Sequence, residues 1–351
     1  MAPLPETANS SARDSAVSRQ WQLIARPTGW PGEENFRFVD VELPPLQSGE
    51  VRVRNEYISV DPYMRGRMND VKSYIPPFQL GETMQGGAIG RVTESRSDDL
   101  AVGDFVEHFR GWRDVAQGQA SQFQKRDLIP GVSETAFLGI LGVSSLTAWV
   151  GLFVIAQMQP GETVFVSGAA GAVGTAVGQI ARLKGAGRVI GSAGSDEKVA
   201  LLIEKYGFDA AFNYKNGRIS RQLQDAAPDG IDVYFDNVGG DHLEAAIFSF
   251  NDKGRAALCG AIAEYNAEKM QPGPRNLAML ISKGLTLKGF TIPSYQQYAA
   301  EAAAEVRPWV ASGQIVYDET VIDGIENALE AFYGLMRGQN TGKMLVRIAK
   351  G

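Results

Sequence analysis

The stretch from residue 163 to residue 198 constrains the fold more than any other part of the chain. A short apolar strand at 164–166 runs into a turn with Gly168, Gly171 and Gly174, followed by a helix-patterned segment and a second strand at 188–193. Glycines at this spacing let backbone N–H groups approach a pyrophosphate, and the following helix points its positive end toward that anion. Because strand, glycine turn, helix and strand occur in this order, the segment predicts a βαβ unit that binds a dinucleotide.

The tip of the second strand indicates which dinucleotide binds. A chain that uses NAD usually has an acidic residue there, about 20 residues after the glycines, to bind the ribose 2′-hydroxyl. Here residues 192–195 are Ser-Ala-Gly-Ser, and Lys198 follows. Small residues leave room for a 2′-phosphate and the lysine supplies a cation for it, which favours NADP. The alternative is NAD, with Asp196 as a displaced acid and Lys198 as a solvated helix residue.

The length and composition of the chain predict two globular domains. Of its 351 residues, 44% are hydrophobic, which is enough for two cores. The net charge of −6 argues against a nucleic-acid surface, and no apolar run approaches the ~20 residues of a membrane span. Residues 1–18 are rich in Ser, Ala and Pro, which predicts a disordered tail and not a signal peptide. We therefore expect a cytoplasmic protein with no nucleic-acid or membrane partner.

The cysteine and histidine content argues against a metal site. Cys259, His108 and His242 are the whole set of such residues in the sequence, and neither histidine has a partner at ligand spacing. Catalytic zinc takes three ligands from Cys, His, Asp and Glu, and structural zinc takes about four from Cys and His. We therefore expect no metal. A single cysteine also excludes an intrachain disulfide and fits a reducing compartment.

The order of the predicted elements indicates an α/β fold with two domains. Residues 19–144 contain short strands broken by glycine and proline, which is typical of a β-barrel domain. From 145 to 312, strands alternate with helices as in a doubly wound parallel sheet. The last strand, 344–348, has no neighbour in that sheet, so we expect the segment 313–351 to complete the first domain and leave a cleft between the domains. The strand at 285–290 comes last in the parallel series, and its free edge predicts a homodimer.

A series of motifs resembles the zinc-independent branch of the medium-chain dehydrogenase/reductase superfamily. The motifs are Tyr57-Ile-Ser-Val-Asp61-Pro-Tyr63-Met-Arg65-Gly-Arg67-Met68, Leu146-Thr147-Ala-Trp149, Ala169-Ala-Gly171-Ala-Val-Gly174, Gly194-Ser-Asp-Glu-Lys198, Phe212-Asn-Tyr214-Lys215, Asp236-Asn237-Val-Gly-Gly240, Cys259-Gly260-Ala261-Ile262 and Asn340-Thr-Gly342-Lys343. Within the branch, the chain resembles NADP-dependent alkenal double-bond reductases, leukotriene B4 12-hydroxydehydrogenases and curcumin reductases over residues 21–348. The resemblance implies a GroES-like β-barrel catalytic domain beside a Rossmann domain, with the active cleft between them. Residues 143–145 and 263–265 depart from the family pattern, which leaves the shape of the substrate pocket open.

The resemblance also implies a set of cofactor-binding residues. They are Thr147, Gly171, Ala172, Val173, Gly174, Ser195, Lys198, Tyr214, Asn237, Cys259, Gly260, Phe290 and Asn340. Ser195, Lys198 and Tyr214 would hold the 2′-phosphate and adenosine end of NADP. Those between 237 and 290 would line the ribose and nicotinamide, and Asn340 would close over the cofactor. Taken singly, a strand-end tyrosine, a small core cysteine and a turn-forming asparagine are also ordinary structural features; their joint occurrence in order favours the cofactor.

The lack of zinc ligands bears on the predicted chemistry. Exchange between carbonyl and alcohol needs a Lewis acid on the oxygen, whereas hydride addition to the β-carbon of an enal or enone spreads charge into an enolate. The enolate oxygen needs a hydrogen-bond donor and the α-carbon needs a proton. The resemblance places three phenols at or near the cleft, of which we expect Tyr265 first and Tyr57 second to act. The cofactor ribose and solvent are alternative proton sources, and Tyr63 has packing beneath the cofactor as its alternative.

The sequence therefore predicts an NADP-dependent oxidoreductase that reduces the C=C bond of small α,β-unsaturated carbonyl compounds. Two alternatives stay open at this point. One is an NADPH-dependent quinone reductase, and the other is a regulatory protein that binds NADPH without turnover.

Overall fold

The computed structural model describes residues 16–269 and 271–348, and in that part of the chain the strands form three sheets. The strands are β1 (Val17–Leu23), β2 (Phe36–Glu42), β3 (Glu50–Ser59), β4 (Ala88–Ser95), β5 (Phe105–His108), β6 (Val115–Gln119), β7 (Phe123–Lys125), β8 (Thr163–Val166), β9 (Arg188–Ala193), β10 (Ala210–Asn213), β11 (Ile231–Asp236), β12 (Phe250–Leu258), β13 (Thr286–Gly289), β14 (Glu319–Asp323) and β15 (Lys343–Arg347). The helices are α1 (Tyr63–Arg67), α2 (Val143–Trp149), α3 (Ala172–Leu183), α4 (Asp196–Glu204), α5 (Ile219–Ala226), α6 (Gly240–Ser249), α7 (Ala278–Lys283), α8 (Ala299–Ala311) and α9 (Ala328–Met336). A π-helical turn, Val150–Ile155, continues α2.

A seven-stranded mixed sheet forms the centre of the first unit, called the mixed-sheet unit below. Its strand order is β14, β15, β3, β4, β5 and β7, with β6 also paired to β3, while β1 and β2 form a separate hairpin. In β3, Val51 and Val53 are fully buried and pack with Val92, Val106 and Phe123. Because β15 pairs antiparallel with β3, the last strand returns to the first domain, as the sequence predicts.

A six-stranded parallel sheet forms the second unit, called the parallel-sheet unit. Its order is β10, β9, β8, β11, β12 and β13, and each neighbouring pair is parallel. Residues 164–166 and 233–235 are fully buried, as expected for strands covered on both faces by helices. The strand order reverses between β8 and β11, and such sheets bind ligands at the carboxyl ends of the strands at this point. The predicted α/β fold with a doubly wound sheet is confirmed.

One apolar cluster packs the two units against each other. It contains Ile89 and Leu345 from the mixed sheet together with Val166, Val177 and Phe290 from the parallel-sheet unit. Apolar burial that continues from one unit into the other holds both walls of the intervening cleft in place. The side chains at the cleft therefore have defined positions relative to the parallel sheet.

The chain differs from the sequence prediction at the start of the first domain. The predicted disordered tail, residues 1–18, is wrong at its end because β1 begins at Val17. Ser18 is fully buried, and its hydroxyl donates to the carbonyl oxygen of Val115 at 2.7 Å, a long-range contact that composition does not reveal. Residues 1–15 lie outside the described residues. The domain limits at 144/145 and 312/313 stay predictions; the first falls inside α2 and the second follows α8.

Candidate active site

The turn after β8 requires glycine at two positions. Gly168 has a φ of +58°, a left-handed conformation that is costly for a residue with a Cβ. At Gly174, a Cβ would lie 2.5 Å from the carbonyl oxygen of Gly168 and 2.6 Å from the Cα of Ala169. The turn and the start of α3 are therefore packed backbone against backbone. A side chain would fill this cradle, and its absence leaves the backbone open to a pyrophosphate.

Helix α3 begins with amide groups directed at this turn. Its N-cap residue, Gly171, has no side chain that could cap the helix. The first helical hydrogen bond runs from the Thr175 N–H to the Gly171 oxygen at 3.0 Å, so the amides of Ala172, Val173 and Gly174 precede it. These N–H groups and the positive end of a 12-residue helix form an anion site. The residues present therefore fit the diphosphate of a dinucleotide.

The tip of β9 brings together the residues predicted for the 2′-phosphate. Ser195 caps α4 by accepting the N–H of Lys198 at 3.3 Å. The phenol oxygen of Tyr214 lies 2.9 Å from where a Cβ of Gly194 would stand, so a side chain at this position would displace the phenol from the strand tip. Burial and then the neighbouring Lys215 lower the pKa of Lys198. Two ammonium groups, a hydroxyl and a phenol thus lie together, a donor set that suits a phosphate.

Asp196, the acid that an NAD site would use, is engaged elsewhere. Its carboxylate accepts hydrogen bonds from the side-chain amides of Asn213 at 2.8 Å and Asn216 at 2.9 Å. It is also the first residue of α4, where a carboxylate stabilises the positive end of the helix. These contacts favour the role of Asp196 at the start of the helix over a role in binding the ribose of NAD. Lys198 is then the charged residue that would bind a 2′-phosphate.

The terminal loop lies against the glycine turn. Lys198 donates from Nζ to the carbonyl oxygens of Gly338 and Asn340, both at 2.6 Å. The Gly342 N–H donates to the carbonyl oxygen of Ala170 at 2.8 Å. The side-chain amide of Asn340 is buried and donates to the Gly342 oxygen at 2.8 Å. The structure thus brings Asn340 to the predicted cofactor site.

The carboxyl end of β11 contains a buried hydrogen-bond centre that the sequence analysis missed. Asp236 is 2% exposed and accepts from the Tyr234 hydroxyl at 2.7 Å, the Ser167 hydroxyl at 3.1 Å and the Gly239 N–H at 2.8 Å. Burial raises the pKa of Asp236, and these hydrogen bonds oppose the shift. The side-chain amide of Asn237 donates to the backbone carbonyl oxygen of Ser167 at 2.8 Å, and this bond connects the ends of β11 and β8. The available signal was an aspartate at the end of an apolar strand.

The segment after β12 begins with two hydrogen bonds to the backbone of Asp236. The N–H groups of Cys259 and Gly260 both donate to the carbonyl oxygen of Asp236, at 2.8 Å and 3.0 Å. Burial raises the pKa of the Cys259 thiol to about 12, so the thiol stays protonated at neutral pH. The cysteine therefore has no nucleophilic role here, and its predicted contribution to the site is its backbone and shape.

Phe290 and Thr147 are positioned by their own elements. The Phe290 ring packs edge-on against Phe235 at 6.2 Å and Tyr295 at 6.3 Å between centroids. Thr147 is buried in α2, and its hydroxyl donates to the carbonyl oxygen of Val143 at 2.7 Å. That bond uses the hydroxyl hydrogen within the helix, so the cofactor role of Thr147 stays a prediction.

Tyr265 carries a phenol beside the residues predicted for the nicotinamide. Its oxygen accepts the N–H of Ala261 at 3.3 Å and lies 3.2 Å from where a Cβ of Gly260 would stand. Burial raises its pKa, so the phenol is protonated at neutral pH. Because the oxygen accepts from Ala261, the O–H hydrogen is left for another acceptor. Tyr265 also lines a cavity of about 380 Å³ between the units, with Arg65 on the opposite wall.

Tyr63 lies on the mixed-sheet side of the cleft. Its ring stacks on that of Phe109 at 6.5 Å between centroids and 17° between planes. The Arg67 guanidinium lies 4.1 Å from the centre of the Phe78 ring and 5.8 Å from that of Phe109. Burial and then Asp61 raise the pKa of Tyr63 well above its usual value. These contacts favour packing, the alternative that the sequence left open for Tyr63.

Tyr74 is a half-exposed phenol near Tyr265 that the sequence analysis did not select. Burial raises its pKa, and the next largest influences are the Tyr265 phenol and the Cys259 thiol. Tyr74 therefore lies within electrostatic reach of Tyr265, on the connection between α1 and β4. The available signal was an aromatic residue in the loop that follows α1.

Tyr57 is not grouped with the cleft phenols. It stands opposite Arg347 in the β3–β15 pair. Asp323, and then a hydrogen bond with the Tyr57 hydroxyl, raise the pKa of Arg347. The Arg347 and Asp323 side chains are 43% and 51% exposed, so this contact lies toward the surface. The second of the predicted catalytic residues therefore has a structural contact at a strand pair, and its catalytic role stays a prediction.

Two further findings concern metals and membranes. Within residues 16–269 and 271–348, no three His, Cys, Asp or Glu side chains come together as metal ligands. The His108 Nε2–H donates to the side-chain oxygen of Asn55 at 2.9 Å, and burial lowers the pKa of His108 to about 3. Burial likewise lowers the pKa of His242 to about 4. None of the helices in the described part of the chain has the length and apolar character needed to cross a bilayer.

Comparison with known proteins places these features in context. A family model described as the N-terminal domain of oxidoreductase matches residues 19–125, and one described as zinc-binding dehydrogenase matches 172–307. The chain is 45% identical over 340 residues to a putative NADP-dependent oxidoreductase of Bacillus subtilis, covering 95% of this chain and 99% of that protein. It is 40% identical to the NADPH-dependent curcumin reductase of Escherichia coli, covering 95% and 97%. It is 39% identical to the NADP(+)-dependent 2-alkenal reductase of Nicotiana tabacum, covering 92% and 95%.

Solved structures show the same architecture. The crystal structure of CurA from Vibrio vulnificus in complex with NADPH matches with a TM-score of 0.90 and 39% identity, covering 95% of this chain and 100% of that one. A quinone oxidoreductase from Pseudomonas syringae matches with a TM-score of 0.73 at 23% identity, which shows a shared fold alone. The likeness to the first extends over both units and the cleft between them.

Proposed function

Because the chain belongs to the zinc-independent, NADP-dependent branch of the medium-chain dehydrogenase/reductase family, we propose that it reduces the C=C bond of α,β-unsaturated aldehydes and ketones. It is an NADP-dependent oxidoreductase of the curcumin, prostaglandin and alkenal reductase type, as the sequence predicts. The proposal adds the substrate class, an enal or enone, whose β-carbon takes a hydride and whose α-carbon takes a proton.

The observation that carries the proposal is the position and protonation of the Tyr265 phenol. Its oxygen accepts the Ala261 N–H, its own hydrogen is available, and burial keeps it protonated. A neutral donor of this kind suits an enolate oxygen, because the charge of an enolate is shared with carbon. The same phenol, or a water beside it, can protonate the α-carbon.

The remaining site residues support binding of NADP(H), which supplies the hydride when bound. The amides at the start of α3 would hold the diphosphate, and Ser195, Lys198 and Tyr214 would hold the 2′-phosphate. Asn340 would cover the cofactor from the terminal loop, where Lys198 keeps it against the glycine turn. The stacked rings of Tyr63 and Phe109 would offer aromatic surface to a substrate on the mixed-sheet side.

The two alternatives are less well supported. The match to a quinone oxidoreductase is at 23% identity, so it speaks for the fold and not for the substrate. A binding protein without turnover does not fit relatives at 39–45% identity that are named as oxidoreductases and reductases. A measurement of which substrate the protein turns over distinguishes the proposal from both alternatives.

The direct test uses NADPH that carries deuterium at the transferred position, with an alkenal, an enone and a quinone as substrates. The proposal expects oxidation of NADPH by the alkenal and the enone, with deuterium on the β-carbon and the carbonyl retained. Deuterium on the carbonyl carbon, with an allylic alcohol as product, would identify an alcohol dehydrogenase. Turnover of the quinone alone would identify a quinone reductase.

The proposal includes a homodimer in the cytoplasm. Its support is β13, which lies at the edge of the parallel sheet with Thr286 and Lys288 exposed. Apolar side chains lie on and near the helix before it, with Leu277 51% and Ile281 88% exposed. An open strand edge beside apolar surface favours pairing between two copies. The single cysteine is compatible with a reducing compartment, and cell fractionation tests the location.

A further inference from the structure

Arg65 is a buried arginine whose hydrogen bonds go to neutral oxygen atoms. It lies on α1 with 3% of its surface exposed. Its guanidinium donates to the Asn266 side-chain oxygen at 2.9 Å, the Asn69 side-chain oxygen at 2.8 Å and the Gly29 carbonyl oxygen at 2.7 Å. Burial lowers the pKa of Arg65. A buried charge destabilises the fold unless its hydrogen bonds are well formed. Displacement of any of the three acceptors would therefore destabilise the folded protein.

The three acceptors come from different parts of the fold. Gly29 lies between β1 and β2, and Asn69 follows α1, so both belong to the mixed-sheet unit. Asn266 lies 201 residues from Arg65 in the sequence, in the segment that follows β12 of the parallel-sheet unit. The Arg65–Asn266 hydrogen bond therefore crosses the cleft.

Asn266 is the residue next to Tyr265. The segment that contains both residues is attached to the parallel sheet by the N–H groups of Ile262 and Ala263, which donate at 3.4 Å and 3.2 Å to the oxygens of Asn237 and Val238. Beyond these bonds the segment consists of turns, and Arg65 holds it from the other wall of the cavity. The position of the Tyr265 ring thus depends on an anchor at each wall.

We propose that Arg65 is a positioning residue for the reaction, which places the Tyr265 phenol by holding Asn266 across the cleft. The inference rests on the proposed function, because it needs Tyr265 to donate to the substrate. A donor must lie within hydrogen-bond reach of the reacting oxygen, and a displacement of about 1 Å costs up to ~10²-fold in rate. Two guanidinium nitrogens of Arg65 already donate to acceptors in the mixed-sheet unit. Because the guanidinium is planar and rigid, these two bonds fix the direction in which the third nitrogen donates to Asn266.

The test compares two asparagines that accept from the same guanidinium. Asn266→Ala removes the bond across the cleft, and Asn69→Ala removes the bond within the mixed-sheet unit. We expect kcat for an enone to fall by ~10–10²-fold in Asn266→Ala and by much less in Asn69→Ala. The dissociation constant of NADPH should stay unchanged in both. Asn266→Asp keeps an oxygen acceptor for Arg65, so it should restore most of the rate.

The dependence on Tyr265 is measured by a double-mutant cycle. If Asn266 acts through the phenol, Asn266→Ala should cost almost nothing further in a Tyr265→Phe background. Full additivity, equal losses in the two asparagine variants, or no rescue by Asn266→Asp would overturn the positioning role. If Tyr265→Phe alone reduces an enone at the wild-type rate, the catalytic role of Tyr265 fails and the inference fails with it. A loss in Tyr265→Phe with none in Asn266→Ala overturns the inference alone. Thermal unfolding of each variant identifies losses caused by misfolding.

Discussion

The ammonium group of Lys198 donates a hydrogen bond to the carbonyl oxygen of Asn340 at 2.6 Å, across 142 residues of sequence. A second bond of the same length reaches Gly338. The lysine proposed for the 2′-phosphate therefore also holds the terminal loop that would cover the cofactor. Lys198 has three donors, so it can keep these two bonds and still offer one to a phosphate oxygen. A substitution of Lys198 thus acts on the phosphate and on the loop.

Lys198→Ala should raise the KM for NADPH by an amount that corresponds to about 1.5–3 kcal/mol, because a charge-assisted contact with the 2′-phosphate is lost. The KM for NADH should change much less, because only the loop contact is lost. Steady-state kinetics with both cofactors measures the difference. Lys215→Ala, which removes the neighbouring ammonium, should have a smaller effect. Equal losses with NADPH and NADH would contradict the assignment of Lys198 to the phosphate.

Tyr265→Phe should reduce kcat for an enone by roughly 10–10³-fold, because the enolate loses its donor. Burial raises the pKa of Tyr265 above its usual 10.0, so this group should cause no fall in kcat from acidic pH up to about pH 10. Tyr57→Phe should cost far less, because that hydroxyl contacts Arg347. A wild-type rate in Tyr265→Phe would instead assign both tasks to the cofactor ribose or water.

Prolonged dialysis against a strong chelator should leave the rate unchanged. The sequence offers one cysteine and two histidines, and the described residues contain no group of three potential ligands. Elemental analysis of the dialysed and untreated protein provides the control. Loss of turnover on dialysis, with recovery on addition of Zn²⁺, would show that the ligand argument is wrong.

The stability of the protein should fall as the pH drops below about 6.5. Burial holds the pKa of His108 near 3 and that of His242 near 4 in the folded chain, whereas an unfolded histidine takes up a proton near pH 6.5. Each histidine then favours the unfolded state by about 1.4 kcal/mol per pH unit from about pH 6.5 down to its own folded pKa. Urea unfolding at several pH values measures the slope. His108→Gln should reduce the slope of the unfolding free energy against pH by the equivalent of about one bound proton. An unchanged slope would contradict the burial of neutral His108.

The protein should have the mass of a dimer in multi-angle light scattering at micromolar concentration. β13 leaves an open edge, and Ile281 nearby is 88% exposed. Ile281→Asp should shift the equilibrium toward monomer, because a charge would be buried in the contact. A matched surface change away from this edge, Val102→Asp, should leave the mass unchanged. A monomeric mass for the wild-type chain would rule out the dimer.

The features that the sequence predicted correctly depend on neighbours along the chain. The strand at 164–166, the glycine turn and α3 follow each other directly, and each is specified by local patterning: apolar residues for a buried strand, glycine for a tight turn, and a helix start beyond it. The same reasoning anticipated β13 at the sheet edge and the return of β15 to the first domain. The glycine turn and the tip of the second strand also indicated NADP, and the family resemblance added the wider set of residues expected to surround it.

Contacts between distant residues were decided by the tertiary structure alone. Local pattern showed that Lys198 and Arg65 were charged and near motifs, but not that they reach Asn340 and Asn266, 142 and 201 residues away. Tyr57 belongs to the same motif as Tyr63, yet strand pairing turns it toward Arg347. Periodicity describes which face of an element is apolar, whereas the partner of a polar side chain depends on how the elements pack. Packing is set by the whole chain, so only the folded structure identifies those partners.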